Sequence, residues 1–320
     1  MKDIAAPVAK EAILKELTSD KLLRKTNKGD NEIYVITYHD SPNIMHEIGR
    51  LREITFRDAG GGTGNDLDID RYDKNESPYR QLIVWDPDAQ EILGGYRYIT
   101  GEGLKEDENG DVQLATARLF HFSEKFKQEY LPYTLELGRS FVQPEYQSSK
   151  AGAKALFALD NLWDGLGALT VDHPEIKYFF GKVTMYTHFN VEARNLILYF
   201  FQKYFSDKDN LVYPKNPMTV NLDTAWLGKV FNGGSYKEDY RILTQQVRER
   251  GENIPPLINA YMNLSPSMKT FGTVLNDRFG GVEETGIIVT IKDIYEAKKD
   301  RHIETYIKGK DIHNTFPEIK

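Results

Sequence analysis

The fold is decided by residues 135–142, LELGRSFV, a strand pattern that carries two charges among apolar residues. Side chains alternate between the two faces of a strand, so Glu136 is expected on one face and Arg139 on the other, together with Phe141. A charge inside so apolar a strand must be paired or functional, because an isolated buried charge is costly. The residues by themselves leave both a structural ion pair and a functional pair open.

The segment after this strand, Gln147–Ala153 (QSSKAGA), precedes a predicted helix over residues 152–165. Its small residues would let a phosphate approach the helix N-terminus, where unpaired backbone N–H groups and the helix dipole favour anions. Helix starts of this kind are common, so the segment alone is weak evidence. A nearly apolar stretch at 178–186 (YFFGKVTMY) predicts a central strand after the helix.

The rest of the chain predicts a mixture of helices and strands. Residues 81–85 (QLIVW) and 92–99 (ILGGYRYI) flank a turn sequence at 86–90 (DPDAQ) and predict an antiparallel hairpin. We predict a mixed α/β (α+β) fold with a partly antiparallel central sheet flanked by helices, and not a doubly wound fold. The other predicted elements are helices over 7–23, 43–56, 190–205, 237–250 and 255–263, and strands over 32–37, 269–274 and 285–291.

Composition limits the class of protein. The 320 residues are 40% hydrophobic and 28% charged, as in a folded globular chain, and they include no cysteine for a disulfide or a thiolate site. The formal net charge of −7 argues against nucleic acid as the main partner. The N-terminal stretch has no continuous apolar core of a signal peptide, and no other stretch approaches a membrane span. We therefore expect a cytoplasmic protein.

Three motif-like patterns do not predict sites by themselves. The glycines of residues 59–64 (AGGGTG) have no preceding strand and no Gly-Lys-Ser/Thr sequence, so we expect a surface loop. Residues 66–70 (DLDID) open like a calcium loop, but Arg71 stands where glycine is required, and a short edge strand is the alternative. The seven histidines show no metal-binding spacing, so no metal site is expected.

Short motifs in chain order resemble one family. The succession of strand, Gln-x-x-x-x-Gly loop, helix and strand resembles the core of the GNAT superfamily, with Gln147 and Gly152 in matching positions and Lys150 in place of a glycine. A closer resemblance is to its hemolysin-like branch, which includes ornithine-lipid and glycine-lipid N-acyltransferases and other N-acyl amino acid synthases. The skeleton is also similar to that of acyl-homoserine-lactone synthases. The motifs are LREITF (51–56), LDIDRYD (67–73), GYR (95–97), ELGRS (136–140), IPPLINAY (254–261) and FG (271–272).

The resemblance implies one domain over residues 1–320, with residues 187–253 as a helical insertion. It implies an N-acyltransferase that moves a fatty acyl group, with or without a 3-hydroxyl, from a thioester carrier to the amine of an amino acid in aminolipid synthesis. No tightly bound cofactor is expected, since the donor is a co-substrate, acyl-acyl carrier protein or acyl-CoA. Peripheral contact with the inner face of the membrane and a homodimer are left open.

The acceptor amine must lose a proton before it attacks a thioester, because the α-amino pKa is about 8. A carboxylate within hydrogen-bond reach, directly or through one water, can take that proton. Glu136 is expected to be this base or its orienter, and Asp70 and Asp73 are the alternatives. Arg139 is expected in the same catalytic group. We expect the segment with Asp70 and Asp73 to fold toward the sheet beside Arg52, Arg97 and Arg139 and to form one charged pocket with them.

The arginines Arg52, Arg97 and Arg139 suit either a substrate carboxylate or a scaffold of ion pairs. Phe56 is expected to contact substrate in an apolar acyl channel, with ordinary core packing as its alternative. The other candidate channel residues are Tyr96, Phe141 and the run from Tyr199 to Phe201. By the resemblance, the donor is bound by Phe141, Val142, Gln147, Lys150, Ala151, Gly152 and Ala153, with backbone N–H groups near Phe141 and Val142 facing the oxyanion.

The carrier is expected to be acyl carrier protein and not free coenzyme A. Lys150 and Lys154 would give a local positive charge to receive that acidic partner. The alternative functions are a short-chain, acetyl-CoA-dependent N-acetyltransferase and a non-catalytic lipid-binding or membrane-active protein.

Overall fold

The computed structural model describes residues 1–108, 110–147 and 152–307. The chain divides into two units, of which the first comprises Met1–Gly101, Tyr133–Lys177 and the chain from Ile294 on, and the second Glu102–Pro132 and Tyr178–Asp293. The strands are β1 (Leu22–Lys25), β2 (Glu32–Ile36), β3 (Arg80–Asp86), β4 (Glu91–Thr100), β5 (Phe120–Phe122), β6 (Thr134–Val142), β7 (Tyr178–Met185), β8 (Val212–Pro214), β9 (Lys269–Asn276) and β10 (Val282–Thr290). The helices are α1 (Lys10–Glu16), α2 (Pro42–Asp58), α3 (Arg71–Lys74), α4 (Gly152–Asp172), α5 (Val191–Phe205), α6 (Thr224–Val230), α7 (Tyr236–Glu249), α8 (Pro256–Met262) and α9 (Glu296–His302).

The strands of the first unit are ordered β1-β2-β3-β4-β6, and every neighbouring pair is antiparallel. The predicted hairpin is confirmed as β3 and β4. Its turn is closed by Asp86, whose Oδ1 accepts hydrogen bonds from the N–H groups of Asp88 (2.9 Å) and Ala89 (3.1 Å). The turn chemistry read from the sequence therefore sets this register.

A β-bulge in β6 lies opposite β4. Gly95 pairs with Phe141 and Arg97 pairs with Gly138, so β6 carries one extra residue in this interval. Arg139 lies in the bulge and has a left-handed φ of 50°, which is uncommon for a residue other than glycine. The glycine pair of β4 makes room, since a Cβ at Gly94 would lie 2.4 Å from the Phe141 carbonyl oxygen and one at Gly95 would lie 2.8 Å from that of Leu82.

Helices α2 and α4 pack on the first unit. The predicted apolar face of α2 is buried, with Ile44 and Ile48 fully inaccessible and Leu51 4% exposed. Helix α4 lies against β3 and β4, where Gly165 allows close contact with Leu82. Both predicted helices are confirmed, and α4 continues past the predicted end to Asp172.

The N-terminal helix predicted over residues 7–23 is too long. Helix α1 ends at Glu16, and Leu22 begins strand β1, which pairs with β2. A turn at residues 18–21 separates the two, so the apolar residues after it serve a strand edge and not a third helical turn. The spacing of apolar residues in this segment fits one long helix as well as it fits a short helix followed by a turn and a strand.

The second unit has the antiparallel strand order β7-β10-β9 and a separate antiparallel pair, β5 with β8. Residues 187–253 lie in it and contain α5, β8, α6 and α7. The aromatic ring of Phe200 on α5 has neighbouring ring centroids at 4.7 Å (Tyr204), 5.5 Å (Tyr236) and 5.8 Å (Phe231). The predicted mixed α/β fold with mostly antiparallel strands and flanking helices is confirmed, while the single domain and its helical insertion stay predictions.

Candidate active site

The aspartate-rich segment before β3 forms no strand, so the alternative of an edge strand at residues 66–70 is wrong. Asp70 is instead the N-cap of α3, and its Oδ1 accepts from the backbone N–H groups of Tyr72 (2.9 Å) and Asp73 (3.3 Å). Asp73 completes a capping box, since its Oδ2 accepts from the backbone N–H of Asp70 at 3.0 Å. This local chemistry fixes the direction of both carboxylates.

The glycine-rich loop before that segment is ordered around Glu53, a buried residue of α2. Its Oε2 accepts from the backbone N–H (3.1 Å) and the hydroxyl (2.7 Å) of Thr63, and its Oε1 accepts from the backbone N–H of Gly64 at 2.7 Å. Burial acts to raise the pKa of Glu53, but these donors and the Arg57 guanidinium outweigh it and lower the pKa. Sequence analysis missed Glu53, although its i,i+4 spacing from Arg57 was a signal.

The predicted meeting of aspartates and arginines is confirmed. Arg97 Nη1 lies 2.8 Å from Asp70 Oδ2 and 3.3 Å from Asp73 Oδ2. Arg139 Nε lies 2.7 Å from Asp68 Oδ2, and its Nη2 lies 3.9 Å from Asp70 Oδ2. We call this group the Arg/Asp cluster, and its members are Arg52, Arg97, Arg139, Asp68, Asp70 and Asp73.

Arg52 joins the cluster from helix α2. Its Nη1 lies 3.6 Å from Asp73 Oδ1, and its Nη2 donates to the side-chain oxygen of Gln81. The amide nitrogen of Gln81 donates in turn to Asp73 Oδ1 at 3.0 Å. Gln81 on β3 thus connects Arg52 of α2 with Asp73 of the cluster, whereas the sequence predicted only that it lies in a strand.

Exposure divides the cluster into an interior and an edge. The side chains of Arg52, Arg97 and Asp73 are 1%, 3% and 0% exposed, whereas those of Arg139 and Asp70 are 14% and 31% exposed. The interior members hold one another, as a buried scaffold of ion pairs does. The edge members are the ones that a small molecule can reach.

Electrostatics separate the candidate bases. Burial acts to raise the pKa of Asp70, but the charges of Arg97 and Arg139 outweigh it and hold the pKa at about 2. A carboxylate so stabilised is a weak proton acceptor. Burial likewise opposes the charge of Arg97, and the carboxylates of Asp73 and Asp70 outweigh it and raise the pKa of that guanidinium.

The prediction that Arg139 lies on the opposite face from Glu136 is wrong. A Cβ on Gly138, two residues from Glu136 in β6, would lie 3.6 Å from Arg97 Nε, so Arg97 occupies the face that Gly138 and Glu136 share. Arg139 reaches Asp70, the same carboxylate that Arg97 binds. The bulge causes the change, because an extra residue with positive φ breaks the alternation of side chains along the strand.

Glu136 lies beside the cluster and is 2% exposed. Its Oε2 accepts a hydrogen bond from the hydroxyl of Tyr79, which is equally buried. The Arg97 guanidinium lies over the ring of Tyr79, 5.1 Å from its centroid. Sequence analysis missed Tyr79, since nothing in the local pattern distinguishes it from a core aromatic residue.

The donor-binding candidates lie at the end of β6 and beyond. Phe141 is buried directly after the bulge, Val142 is half-buried, and the Gln147 side chain donates to the carbonyl of Val142. Lys150 and Ala151 lie outside the described residues. Gly152 and Ala153 are the first residues of α4, as predicted for a helix start behind this loop.

The candidate acyl-channel residues are buried except Tyr199, which is half-buried, and their role stays a prediction. Phe56 is 6% and Tyr96 2% exposed, within the first unit. Phe200 and Phe201 are part of the aromatic core of the second unit. For those two residues the contacts support the core-packing alternative.

Two general features concern the whole described chain. In residues 1–108, 110–147 and 152–307, no three histidine or acidic side chains converge as they would around a metal ion. Over the same ranges, no helix combines the length and the apolar character that a membrane crossing requires.

Comparisons with known proteins identify the family of the chain. A family model described as an acetyltransferase (GNAT) domain matches residues 51–156. The chain is 60% identical to a glycine N(alpha)-acyltransferase of Phocaeicola vulgatus, over 96% of this chain and 94% of that one. It is 57% identical to a glycine N(alpha)-acyltransferase of Bacteroides thetaiotaomicron, over 97% of this chain and 92% of that one. A solved CoA-dependent acyl-homoserine lactone synthase, BjaI, is 11% identical over 86% of this chain and 88% of that one, with a TM-score of 0.36, too low to support a conclusion.

Proposed function

Because the chain belongs to the GNAT N-acyltransferase family that includes the glycine Nα-acyltransferases, we propose that it transfers a fatty acyl group from a thioester carrier to the α-amine of glycine. Glycine as acceptor rests on the names of these relatives. The observation that carries the chemistry is the position of Glu136, a buried carboxylate on the face of β6 that the Arg/Asp cluster shares. Membership in an enzyme family excludes the non-catalytic alternative.

Glu136 is the proposed base. The glycine ammonium must lose a proton to become a nucleophile, and because Glu136 is buried we propose that the proton reaches it through one water. A positioned base typically contributes about 10²–10⁴-fold to such a step. Asp70, with a pKa held at about 2, is a poorer acceptor of that proton. Asp73 is fully buried between Arg52 and Arg97, which favours a scaffold role.

Arg139 is the proposed binding partner of the glycine carboxylate. It lies at the partly exposed edge of the cluster, and a guanidinium matches a carboxylate with two parallel hydrogen bonds. Arg97 and Arg52, which suit either a substrate carboxylate or a scaffold of ion pairs, are nearly inaccessible. We propose that they hold Asp73 and Asp70, and thereby the edge that the substrate meets.

The acyl-transfer step follows from these roles. The freed amine attacks the thioester carbonyl, a nitrogen–carbon bond forms, and the carbon–sulfur bond breaks with the carrier leaving as a thiolate that takes up a proton. The family resemblance suggests that backbone N–H groups near Phe141 and Val142 face the oxyanion. The bulge lies directly before these two residues, which pair with Gly95 and Gly94 of β4.

The proposed donor is an acylated carrier protein, with its phosphopantetheine arm toward the N-terminus of α4. Because a long-chain N-acyl product is apolar, we also propose that the reaction takes place at the inner face of the membrane. A short-chain acetyltransferase is the second candidate, favoured by the description of the matching family model as an acetyltransferase domain.

The test is to identify the product. Purified protein is incubated with glycine and with acetyl, hexadecanoyl or 3-hydroxyhexadecanoyl groups, each on acyl carrier protein and on CoA, and N-acyl products are quantified by mass spectrometry. We expect long-chain N-acylglycine, formed fastest from the carrier protein, and less product from alanine or serine. Acetylglycine as the main product would establish the second candidate, and equal use of CoA would remove the carrier preference.

A further inference from the structure

We propose that Tyr79 is a positioning residue for the base of this reaction: its hydroxyl orients the Glu136 carboxylate and donates a hydrogen bond to it. The inference rests on the proposed function, because it takes Glu136 as the base. Neither the motifs of the sequence nor the family likeness points to Tyr79. The evidence is the contact between the Tyr79 hydroxyl and Glu136 Oε2 across 57 residues of sequence.

Tyr79 is itself held from several sides. Its backbone N–H donates to the carbonyl of Tyr72 at 2.9 Å, and its own carbonyl accepts from the Gln81 amide at 3.1 Å. Its ring meets that of Tyr72 edge-on, with centroids 5.7 Å apart, and Arg97 covers another side of the ring. A side chain this constrained presents its hydroxyl in one place, which is what a fixed hydrogen-bond donor requires.

The Tyr79 hydroxyl is suited to hold a catalytic carboxylate because it is a neutral hydrogen-bond donor. A buried carboxylate stays charged only where donors stabilise it, since burial favours the protonated form. A neutral phenol stabilises the negative charge less strongly than the guanidinium groups that hold the Asp70 pKa at about 2. The nearby positive charge of Arg97 makes the phenol a better donor. The hydrogen bond from Tyr79 to Oε2 holds the Glu136 carboxylate in one orientation.

Other charged groups face this pair and constrain any pH test. Arg97 on β4 lies over the Tyr79 ring, and Tyr72 on α3 touches that ring. Arg97 in turn binds Asp70 and Asp73 at α3, and Asp70 is also close to Arg139 on β6. The guanidinium groups stay charged at every accessible pH. Asp70, with its pKa of about 2, stays ionised above pH 5.

The second unit supplies a matched control. The Tyr204 hydroxyl donates to Asp239 Oδ2 at 2.5 Å, and Asp239 is fully buried. Tyr204→Phe therefore removes the same kind of hydrogen bond from a buried carboxylate that has no proposed part in the reaction. Any general cost of such a deletion appears in this variant too.

The experiment measures kcat/KM for glycine against pH, from pH 5.5 to 9.5, in wild type, Tyr79→Phe and Tyr204→Phe. Tyr79→Phe loses a hydrogen bond to a charged group, so we expect its kcat/KM to be about tenfold or more below that of wild type at the lowest pH values. The loss should shrink as pH rises, so that the acidic limb of the profile moves to higher pH. Tyr204→Phe should lower the melting temperature and leave the shape of the profile unchanged. A loss that is equal at all pH values, or no loss, overturns the inference.

Two further variants cover the other outcomes. Replacement of Tyr79 by 3-fluorotyrosine keeps the shape and strengthens the donor, so the acidic limb should move to lower pH; an unmoved limb counts against the proposal even if Tyr79→Phe folds poorly. In a Glu136→Gln background, Tyr79→Phe should produce no further loss. Wild-type turnover in Glu136→Gln alone would refute the proposed base, whereas loss there with an unchanged profile in Tyr79→Phe would refute only the role of Tyr79.

Discussion

Each unit of this chain contains a buried carboxylate that accepts a hydrogen bond from a tyrosine hydroxyl. The two carboxylate–tyrosine pairs differ in the residues that surround them. In the second unit, Asp239 on α7 also binds Lys203 Nζ at 2.5 Å and the backbone N–H of Gly233 at 2.8 Å. Burial acts to raise the pKa of Asp239, but these donors outweigh it and lower the pKa. The group joins α5 to α7 within an aromatic core.

In the first unit, the pair of Glu136 and Tyr79 adjoins the Arg/Asp cluster, whose edge members Arg139 and Asp70 are partly exposed. A strand with a bulge carries Glu136, whereas a regular helix carries Asp239. A buried carboxylate with a tyrosine is therefore no sign of catalysis by itself. An exposed charged edge and an interrupted strand next to it make the difference.

The largest expected effect is on stability. Asp73→Asn removes one partner from Arg52 and Arg97 in the interior of the cluster and should cost about 3–5 kcal/mol in the free energy of unfolding. Asp239→Asn should fall in the same range, since it leaves Lys203 without its carboxylate. Asp70→Asn, at the exposed edge, should cost far less. Urea denaturation of the three variants measures this, and equal costs would remove the distinction between interior and edge.

The next effect separates the two carboxylate–tyrosine pairs. Glu136→Gln is nearly isosteric and should lower kcat by at least about 10²-fold, with a melting temperature close to wild type. Asp239→Asn should show the opposite pattern, with lower stability and normal turnover per folded molecule. Both variants are compared by steady-state assay and thermal melts. Full activity in Glu136→Gln would make the two sites equivalent and disprove the assignment of the base.

A smaller effect tests the exposed edge. Arg139→Lys keeps the charge but loses the planar fork, so the KM for glycine should rise about tenfold with a smaller change in kcat. The matched control is Arg194→Lys in the second unit, where the guanidinium binds Glu283 at 2.6 Å and is 16% exposed. An unchanged KM in Arg139→Lys, or the same rise in the control, would show that Arg139 belongs to the scaffold.

The smallest effect concerns the carrier. Lys150→Glu with Lys154→Glu should raise the KM for an acylated carrier protein severalfold and leave the rate at saturation unchanged, because charge contacts mainly raise association rates. The difference should fade with salt, since screening acts over about 10 Å at 0.1 M. Lys208→Glu with Lys229→Glu changes the net charge equally at exposed positions of the second unit. The same rise in that control would reduce the effect to overall charge.

Local patterns carried much of the fold. The β3–β4 hairpin, strand β6, helices α2 and α4, and strands β7, β9 and β10 lie where alternation, helical spacing and turn residues indicated them. Their signals act over a few residues, so they survive in the sequence. The N-terminal segment shows the limit, because one apolar periodicity fitted both a long helix and the helix, turn and strand that formed.

The sequence by itself determined most of the charged residues of the site, since it already led us to expect that Asp70, Asp73, Arg97 and Arg139 would meet. It did not indicate Asp68, which binds Arg139. Only the tertiary structure decided which of these residues lie in the buried interior of the cluster and which lie at its exposed edge. The face that Arg139 takes depends on a single bulge beside the glycine pair Gly94–Gly95. The contact of Tyr79 with Glu136 joins positions 57 residues apart. No periodicity encodes a contact between such distant positions, because it exists only once the strands have paired.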